Sequence, residues 1–346
     1  MAPRLRIAVL ALAASLCGWF IVPCRAQTPD AAKGSISPEQ MLEEALVRYD
    51  AGDFNEAYNY AQRVRGIKPD LPKLKLVDGL LALERRPKDA PRAIQFLTEY
   101  NLTPDGVNDY RGNAALGRVY KDSRMYQIAI RPLEKAKGLA PPEAGGKPIR
   151  ALVTMDLAEC YYGMKKDKKA LETAKDAETS APNDPEVLMN LSQIAFNTKE
   201  YDTSVRAADR AIGVINARLR ASPFKVDDIK NLAVCVDQKI KVFNSRIADN
   251  SKDAQTYYDL ATAIREKAEV ARRTEMLRSR EYAIKGIAND PKFFKLQVFV
   301  AGLEAELGGL QDAIDRLNDT INNDPENQAA IKLRGEIQAR FAATPH

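Results

Sequence analysis

Apolar and polar residues recur with a helical period along most of the 346-residue chain. In the stretch LGRVYKDSRMYQIAIRPLEKAKGLAP, residues 116–141, large and small apolar residues return every three or four positions. This spacing places them on one face of a helix, and the stretch is long enough for two consecutive helices. Abundant Leu, Ala, Lys and Glu also favour helices. The pattern therefore predicts a mostly helical protein.

The arrangement of small and large residues in this stretch returns at a regular interval. Glycine and alanine at the facing positions let a first helix and its antiparallel partner approach closely. The small residues at one position of the second helix are Ala57, Ala93, Ala129, Ala170 and Ser204, which lie 36, 36, 41 and 34 residues apart. A period of this size is what stacked helical hairpins require.

These spacings resemble the tetratricopeptide repeat (TPR). The positions that carry the resemblance and are predicted to pack between helices are Ala45, Ala57, Leu116, Gly117, Tyr120, Ala129, Ala136, Leu157, Ala158, Tyr161, Ala170, Ala177, Leu191, Ala211, Ala301 and Ala313. Two copies depart from the pattern, with Glu44 where Leu is usual and Ser204 where Ala is usual. The resemblance implies an all-α fold, a right-handed superhelical solenoid of antiparallel helix pairs.

The repeats divide the chain into predicted segments. A flexible mature N-terminus is expected over 27–37, a TPR array of about five repeats over 38–220, and a long extra helix with a linker over 221–253. Apolar stripes from 201 to 247 predict a long antiparallel hairpin of about five turns per arm in the middle of the chain. Residues 254–271 and 274–289 predict a further helix pair closed by Pro291. The segment 254–342 thus holds TPR-like repeats and a C-terminal capping helix.

A basic and then apolar N-terminus predicts export. Arg4 and Arg6 precede the apolar run of residues 7–22, which is typical of a secretory signal peptide over 1–26. Small residues Cys24 and Ala26 predict cleavage that leaves Gln27 as the first mature residue. The alternative is a membrane anchor formed by 7–22, although its 16 residues fall short of the roughly 17 to 25 that a span needs. We expect a periplasmic or secreted protein that contacts a membrane only if this segment stays uncleaved.

Charge and chemistry-bearing residues restrict the function further. Without residues 1–26 the 52 basic residues fall to 49 against 47 acidic ones, so no nucleic-acid partner is expected. The only histidine is His346, which argues against metal clusters and histidine-dependent catalysis. Cys160 and Cys235 lie in apolar helical patterns, where buried free thiols are expected. We predict a non-enzymatic protein without a cofactor.

The resemblance implies a binding surface instead. In TPR arrays the first helices of successive repeats line a concave groove that receives an extended peptide or a helix of another protein. Carried onto this sequence, the groove candidates are Tyr49, Ala114, Arg118, Asp156, Glu159, Tyr162, Met189, Asn190, Gln193 and Phe196. For Tyr162 and Phe196, packing on neighbouring repeats is an equal alternative.

Three functions remain open from the sequence. The first is a scaffold or adaptor that binds another protein through the groove. The second is a structural subunit of a cell-envelope assembly, held by the long hairpin as much as by the groove. The third is an enzyme acting on peptide or carbohydrate, with a pair such as Asp156 and Glu159 as acid and base.

Overall fold

The computed structural model describes residues 36–84, 88–249 and 253–343, and these residues form sixteen α-helices and no β-strand. The helices are α1 Pro38–Asp50, α2 Phe54–Ile67, α3 Pro72–Glu84, α4 Ala90–Asn101, α5 Pro104–Val107, α6 Tyr110–Asp122, α7 Tyr126–Leu139, α8 Ile149–Gly163, α9 Asp167–Ser180, α10 Pro185–Asn197, α11 Tyr201–Ala221, α12 Val226–Ala248, α13 Ala254–Asn289, α14 Phe294–Leu307, α15 Leu310–Asn323 and α16 Gln328–Ala343. The predicted signal peptide and residues 27–35 lie outside this described part of the chain. None of the described helices is both long and apolar enough to cross a membrane.

Consecutive helices pack as hairpins, and each hairpin packs on the next. The pairs are α1 with α2, α3 with α4, α6 with α7, α8 with α9, α10 with α11, α12 with α13, and α14 with α15. The first helices of successive hairpins also contact one another: α6 contacts α8, and α8 contacts α10. The prediction of an all-α solenoid built from antiparallel helix pairs is therefore confirmed.

Small residues lie where the paired helices approach most closely. A Cβ atom on Gly117 of α6 would lie 2.4 Å from Leu133 Cγ of α7, and one on Gly79 of α3 would lie 2.7 Å from Leu97 Cγ of α4. Ala129 and Ala136 of α7 are fully buried. All the predicted packing residues are buried except Tyr120, which is half-buried. Because a larger side chain does not fit there, these positions set the distance between the helices.

Ser204 of α11, which stands where the repeat usually has alanine, is hydrogen-bonded to Ser192 of the preceding helix, α10. Ser204 Oγ donates to the Ser192 carbonyl at 2.8 Å, and Ser192 Oγ donates to the Ser204 carbonyl at 2.8 Å. Both side chains are buried, at 0% and 1% exposure. A serine therefore replaces the usual alanine because a second buried hydroxyl satisfies it.

The long hairpin in the middle of the chain is confirmed. Its arms are α11, with 21 residues, and α12, with 23 residues, so each is slightly longer than predicted, at about six turns. The two arms bury apolar side chains against each other, namely Ile215 and Leu219 of α11 and Ile229 and Val236 of α12.

The prediction of two helices over 254–289 is wrong, because α13 is one continuous helix of 36 residues. No proline interrupts it, and its one glycine, Gly286, lies in the last turn. At the expected break, Thr274 Oγ1 bonds back to the Val270 carbonyl at 2.9 Å, and the helix continues. Its earlier part packs on α12 and its later part on α14, as the Lys267–Asp237 pair at 2.8 Å and the Gly286–Leu296 contact show.

The last three helices close the solenoid. The turn between α14 and α15 passes through Gly308, whose φ of +101° favours glycine. Ala330 and Ile337 of α16 are 0% and 1% exposed, and they join the core of the α14–α15 hairpin. The predicted C-terminal capping helix is therefore present.

Candidate partner-binding groove

Four first helices of the N-terminal hairpins line a cleft of about 550 Å³, which we call the N-terminal groove. It is lined by Val47, Tyr49 and Asp50 of α1; Leu80, Leu83 and Glu84 of α3; Tyr110, Arg111, Ala114, Ala115, Arg118, Val119 and Asp122 of α6; Ile149 and Val153 of α8; and Lys88, Ala144, Gly145 and Lys147 of the connections. Among the predicted groove residues, Tyr49, Ala114 and Arg118 are brought together here.

The N-terminal groove has an apolar floor and a charged rim. Leu80, Ala114 and Val119 form buried parts of the floor, whereas Val47 is 57% exposed at the edge. On the rim, Arg111 pairs with Asp50 at 3.3 Å and Lys88 with Asp122 at 3.2 Å. An apolar floor with a few fixed polar groups is typical of surfaces that bind a peptide or another ligand.

Tyr49 lies half-buried at one wall of the N-terminal groove. Its hydroxyl donates to Glu84 Oε1 at 2.9 Å, and its ring centroid lies 5.3 Å from that of Phe54. Burial and the Glu84 carboxylate raise the pKa of Tyr49. The phenol therefore stays neutral and gives the groove a fixed aromatic wall.

Asp156 and Glu159 are held by cations of the preceding hairpin. Asp156 is 7% exposed and accepts from Arg118 Nε at 2.7 Å and Lys121 Nζ at 2.6 Å. Lys121 also pairs with Glu159 at 2.7 Å. Burial lowers the pKa of Lys121, but the two carboxylates raise it above its ordinary value. This network ties α6 to α8, so both carboxylates are engaged in ion pairs that hold the helices together.

The remaining predicted groove residues lie around two smaller clefts. Glu159, Tyr162, Asn190 and Gln193 line a cleft of about 420 Å³ between α6, α8 and α10. Met189, Asn190 and Gln193 also line one of about 160 Å³ beside α12. Gln193 donates to Asn197 at 2.8 Å, so its amide is partly satisfied within α10.

Phe196 lies outside these three clefts and packs on the first residue of the next helix. Its ring centroid is 6.1 Å from that of Tyr201, the first residue of α11. The two rings pack across the turn between α10 and α11. Phe196 is thus part of a contact within its own hairpin, whereas the alternative open from the sequence was packing on a neighbouring repeat.

Several lining residues of the N-terminal groove were not predicted. Tyr110 and Arg111 lie one turn before Ala114 and two turns before Arg118, so extending the helical period backwards would have found them. Lys147 lies in the connection between α7 and α8, where no helical period applies.

The described residues hold no group of three His, Cys, Asp or Glu that would suit a metal ion. Cys160 and Cys235 are both buried and free. Burial raises the pKa of each thiol to about 12. Both thiols are therefore protonated at neutral pH.

No protein-family model matches the sequence, and no curated protein matches it. Among solved structures, Pseudomonas aeruginosa PilF is 13% identical, with a TM-score of 0.47 over 70% of this chain and 96% of that one. Cut9 from the APC/C Cut9–Hcn1 hetero-tetramer structure is 13% identical, with a TM-score of 0.45 over 89% of this chain and 50% of that one. MamA MSR-1 is 15% identical, with a TM-score of 0.40 over 52% of this chain and 98% of that one. The helix pairing itself defines the described part of the chain as a TPR-like helical solenoid.

Proposed function

We propose that this protein is an exported, non-enzymatic scaffold that binds an extended peptide or a helix of another protein in the N-terminal groove. One observation carries the proposal: helices from four successive hairpins converge on a single cleft with an apolar floor and an ordered, ion-paired rim. A groove that crosses several hairpins suits a long, thin ligand better than a compact one.

The chemistry of the groove suits a segment with apolar side chains. Burying such side chains against Leu80, Ala114 and Val119 gives about 25 cal/mol per Å² of apolar area. Arg111 and Lys147 supply N–H donors at the rim, and the carboxylates of Asp50 and Asp122 supply acceptors. Such groups satisfy the backbone of a bound segment and fix its direction.

The test begins with selection of binding peptides from a random display library on the intact mature chain. The affinities of the selected peptides are then measured by fluorescence anisotropy for the parent and for Val47→Glu with Tyr110→Ala. We expect this variant to weaken binding about tenfold or more, because it places a charge and removes a ring at the groove edge. Ile128→Glu is the matched control, since Ile128 is 55% exposed on α7, away from the groove.

Equal affinity of the parent and the groove variant would place the peptide site elsewhere and contradict the proposal. Loss of binding in Ile128→Glu as well would show a non-specific effect of added charge. Val47 and Ile128 are exposed and Tyr110 is half-buried, so thermal melts of both variants that match the parent's are required to show that the fold is intact.

Export is supported by the basic and apolar pattern at the N-terminus. Expression of the full chain in a bacterium, followed by fractionation and intact-mass measurement, tests it. We expect a protein that begins at Gln27 in the periplasmic or secreted fraction. A full-length product in the membrane fraction would instead support an anchor formed by 7–22. A full-length product in the cytoplasm contradicts export.

A further inference from the structure

The long helix α13 carries an exposed face that no other described helix covers. Tyr257, Ala261, Ile264, Ala268 and Ala271 follow one another at spacings of four, three, four and three residues, and all are exposed. We call these five residues the α13 stripe. Tyr257 is 52% exposed and Ile264 is 53% exposed, which is unusual for side chains of this size on a packed helix.

The other sides of α13 are already used for packing. Ala263 and Val270 are 0% and 7% exposed on the side that meets α12. Further along, Ala283 is 6% exposed, and Gly286 lies against Leu296 of α14. The five stripe residues lie on a different side of α13 from Ala263 and Val270, so packing on α12 does not account for them. On the side of the stripe, α13 packs on α14 further along, at Gly286, five turns after Ala268.

The spacing of the α13 stripe is that of a coiled-coil seam. Alternating steps of four and three average 3.5 residues, which keeps a seam facing a second helix over several turns. Tyr282, which is 62% exposed, lies eleven residues or about three turns beyond Ala271 on the same side of the helix, so the exposed line extends over about 38 Å. Three alanines within it permit two helix axes to approach closely.

A helix fits the α13 stripe better than a membrane surface does. Helices that lie in membranes insert Trp, Phe and Leu, whereas three of the five stripe residues are alanines that bury little area in lipid. Alanine is instead a favourable residue where two helices are in close contact.

The charges beside the α13 stripe are mainly basic. Arg265 and Arg272, two turns apart, lie along one flank of the stripe. Lys267 and Arg278, three turns apart, lie along the other flank. Within the described residues Arg265 and Arg278 form no ion pair. Lys267 pairs with Asp237, and Arg272 pairs with Glu269 and with Glu306 of α14. Two copies joined through this face would bring like charges together, which disfavours self-pairing.

We propose that the α13 stripe docks an amphipathic helix of a partner protein, with a seam of small and medium apolar residues and acidic residues on both flanks. The acidic flanks lie against Arg265 and Arg278, and the seam packs on Ile264 and the alanines. This surface is separate from the N-terminal groove, so the inference stands without the function proposed for that groove.

Two synthetic helical peptides of about four heptads test the proposal on the mature chain. Both have alternating Leu and Ala in the seam, and they differ in having Glu or Lys at the flanking positions. Fluorescence anisotropy should show that the Glu peptide binds about tenfold more tightly than the Lys peptide. Arg265→Glu with Arg278→Glu should reverse this preference, and Ile264→Gln should weaken binding of the Glu peptide about tenfold.

Arg218→Glu with Arg220→Glu is the matched control, because both arginines are exposed on α11 and the change in net charge is the same. This control should retain the preference for the Glu peptide. Thermal melts of all variants should match the parent, because every substituted residue is exposed.

Four results would overturn the proposal. The first two are that neither peptide binds, or that both bind equally well. The third is a dimer in sedimentation equilibrium that Ile264→Gln dissociates, which would assign the face to a second copy of the chain. The fourth is capture by phosphatidylserine vesicles without peptide binding, which would assign the face to lipid. A negative result leaves the groove experiment unaffected, since that experiment uses different residues and different peptides.

Discussion

Gly117 of α6 lies directly against Leu133 of α7, where a Cβ atom would come within 2.4 Å of Leu133 Cγ. Leu133 is 0% exposed and has little room to move. Gly117→Ala gains about 1 kcal/mol of helix propensity, but overpacking of a buried side chain costs about 1–3 kcal/mol. We expect a net loss of roughly 1–2 kcal/mol in the free energy of unfolding, measured by urea denaturation. Gly213→Ala on α11, with no atom within 4 Å, should instead stabilise the protein.

The buried serine pair of α10 and α11 predicts a non-additive mutant cycle. Ser204→Ala alone leaves the Ser192 hydroxyl with the Ser204 carbonyl but without its second partner, and we expect a loss of about 1 kcal/mol. Ser192→Ala should cost a similar amount. The double variant should cost less than the sum of the two, because no buried hydroxyl remains. Additive losses in urea denaturation would show that the two hydroxyls act independently.

Glu304 of α14 is 0% exposed and lies between two arginines. Arg280 Nη2 lies 2.7 Å from Glu304 Oε1, and Arg316 Nε lies 2.9 Å from Oε2. Glu304→Gln removes the charge that both guanidinium groups need, so we expect a loss of about 3 kcal/mol or more in thermal or urea denaturation. Glu306→Gln breaks the exposed Arg272–Glu306 pair and should change stability by less than about 1 kcal/mol. Similar effects of both changes would contradict this account.

The buried thiols predict a loss of stability at high pH. Below the ordinary thiol pKa of 9.0, Cys160 and Cys235 are protonated in both the folded and the unfolded state. Between pH 9 and 12 the unfolded chain loses these protons while the folded chain keeps them, because burial raises the folded pKa to about 12. The free energy of unfolding should fall by about 1.4 kcal/mol per pH unit for each thiol.

Urea denaturation at several pH values in this range measures the slope. Cys160→Ala with Cys235→Ala should show a shallower slope than the parent, while tyrosine and lysine titration is common to both proteins. Identical slopes would mean that the folded-state thiols ionise as readily as the unfolded ones.

The sequence predicted the helix pairs because their contacts are made by small residues at fixed spacings. Gly117, Ala129 and Ala136 are recognisable since few other side chains fit between closely packed helices. The single helix α13 was not predicted, because it changes partner from α12 to α14 along its length. The side of α13 that is buried changes with the partner, so the apolar positions shift out of their helical spacing partway along the helix. In a sequence, such a shift looks the same as a break between two helices.

The groove was only partly predictable for a related reason. The resemblance to the tetratricopeptide repeat implied that Tyr49 and Arg118 lie in a groove, and both line the N-terminal groove. The burial of Asp156 depends on Arg118 and Lys121, which lie 38 and 35 residues away in the chain. The position of Phe196 depends on Tyr201 across a turn. Contacts of this kind are set by tertiary packing, which the local pattern does not contain.

The continuity of α13 restricts how its length can change. Each residue added to or removed from a helix turns everything beyond it by about 100°. A one-residue insertion near Thr274 would therefore swing α14, α15 and α16 around the helix axis relative to α12. Insertions of seven residues, close to two full turns, would nearly restore the original orientation. Viable length variants of this segment should thus differ from one another by close to a whole number of turns, as with seven, eleven or eighteen residues.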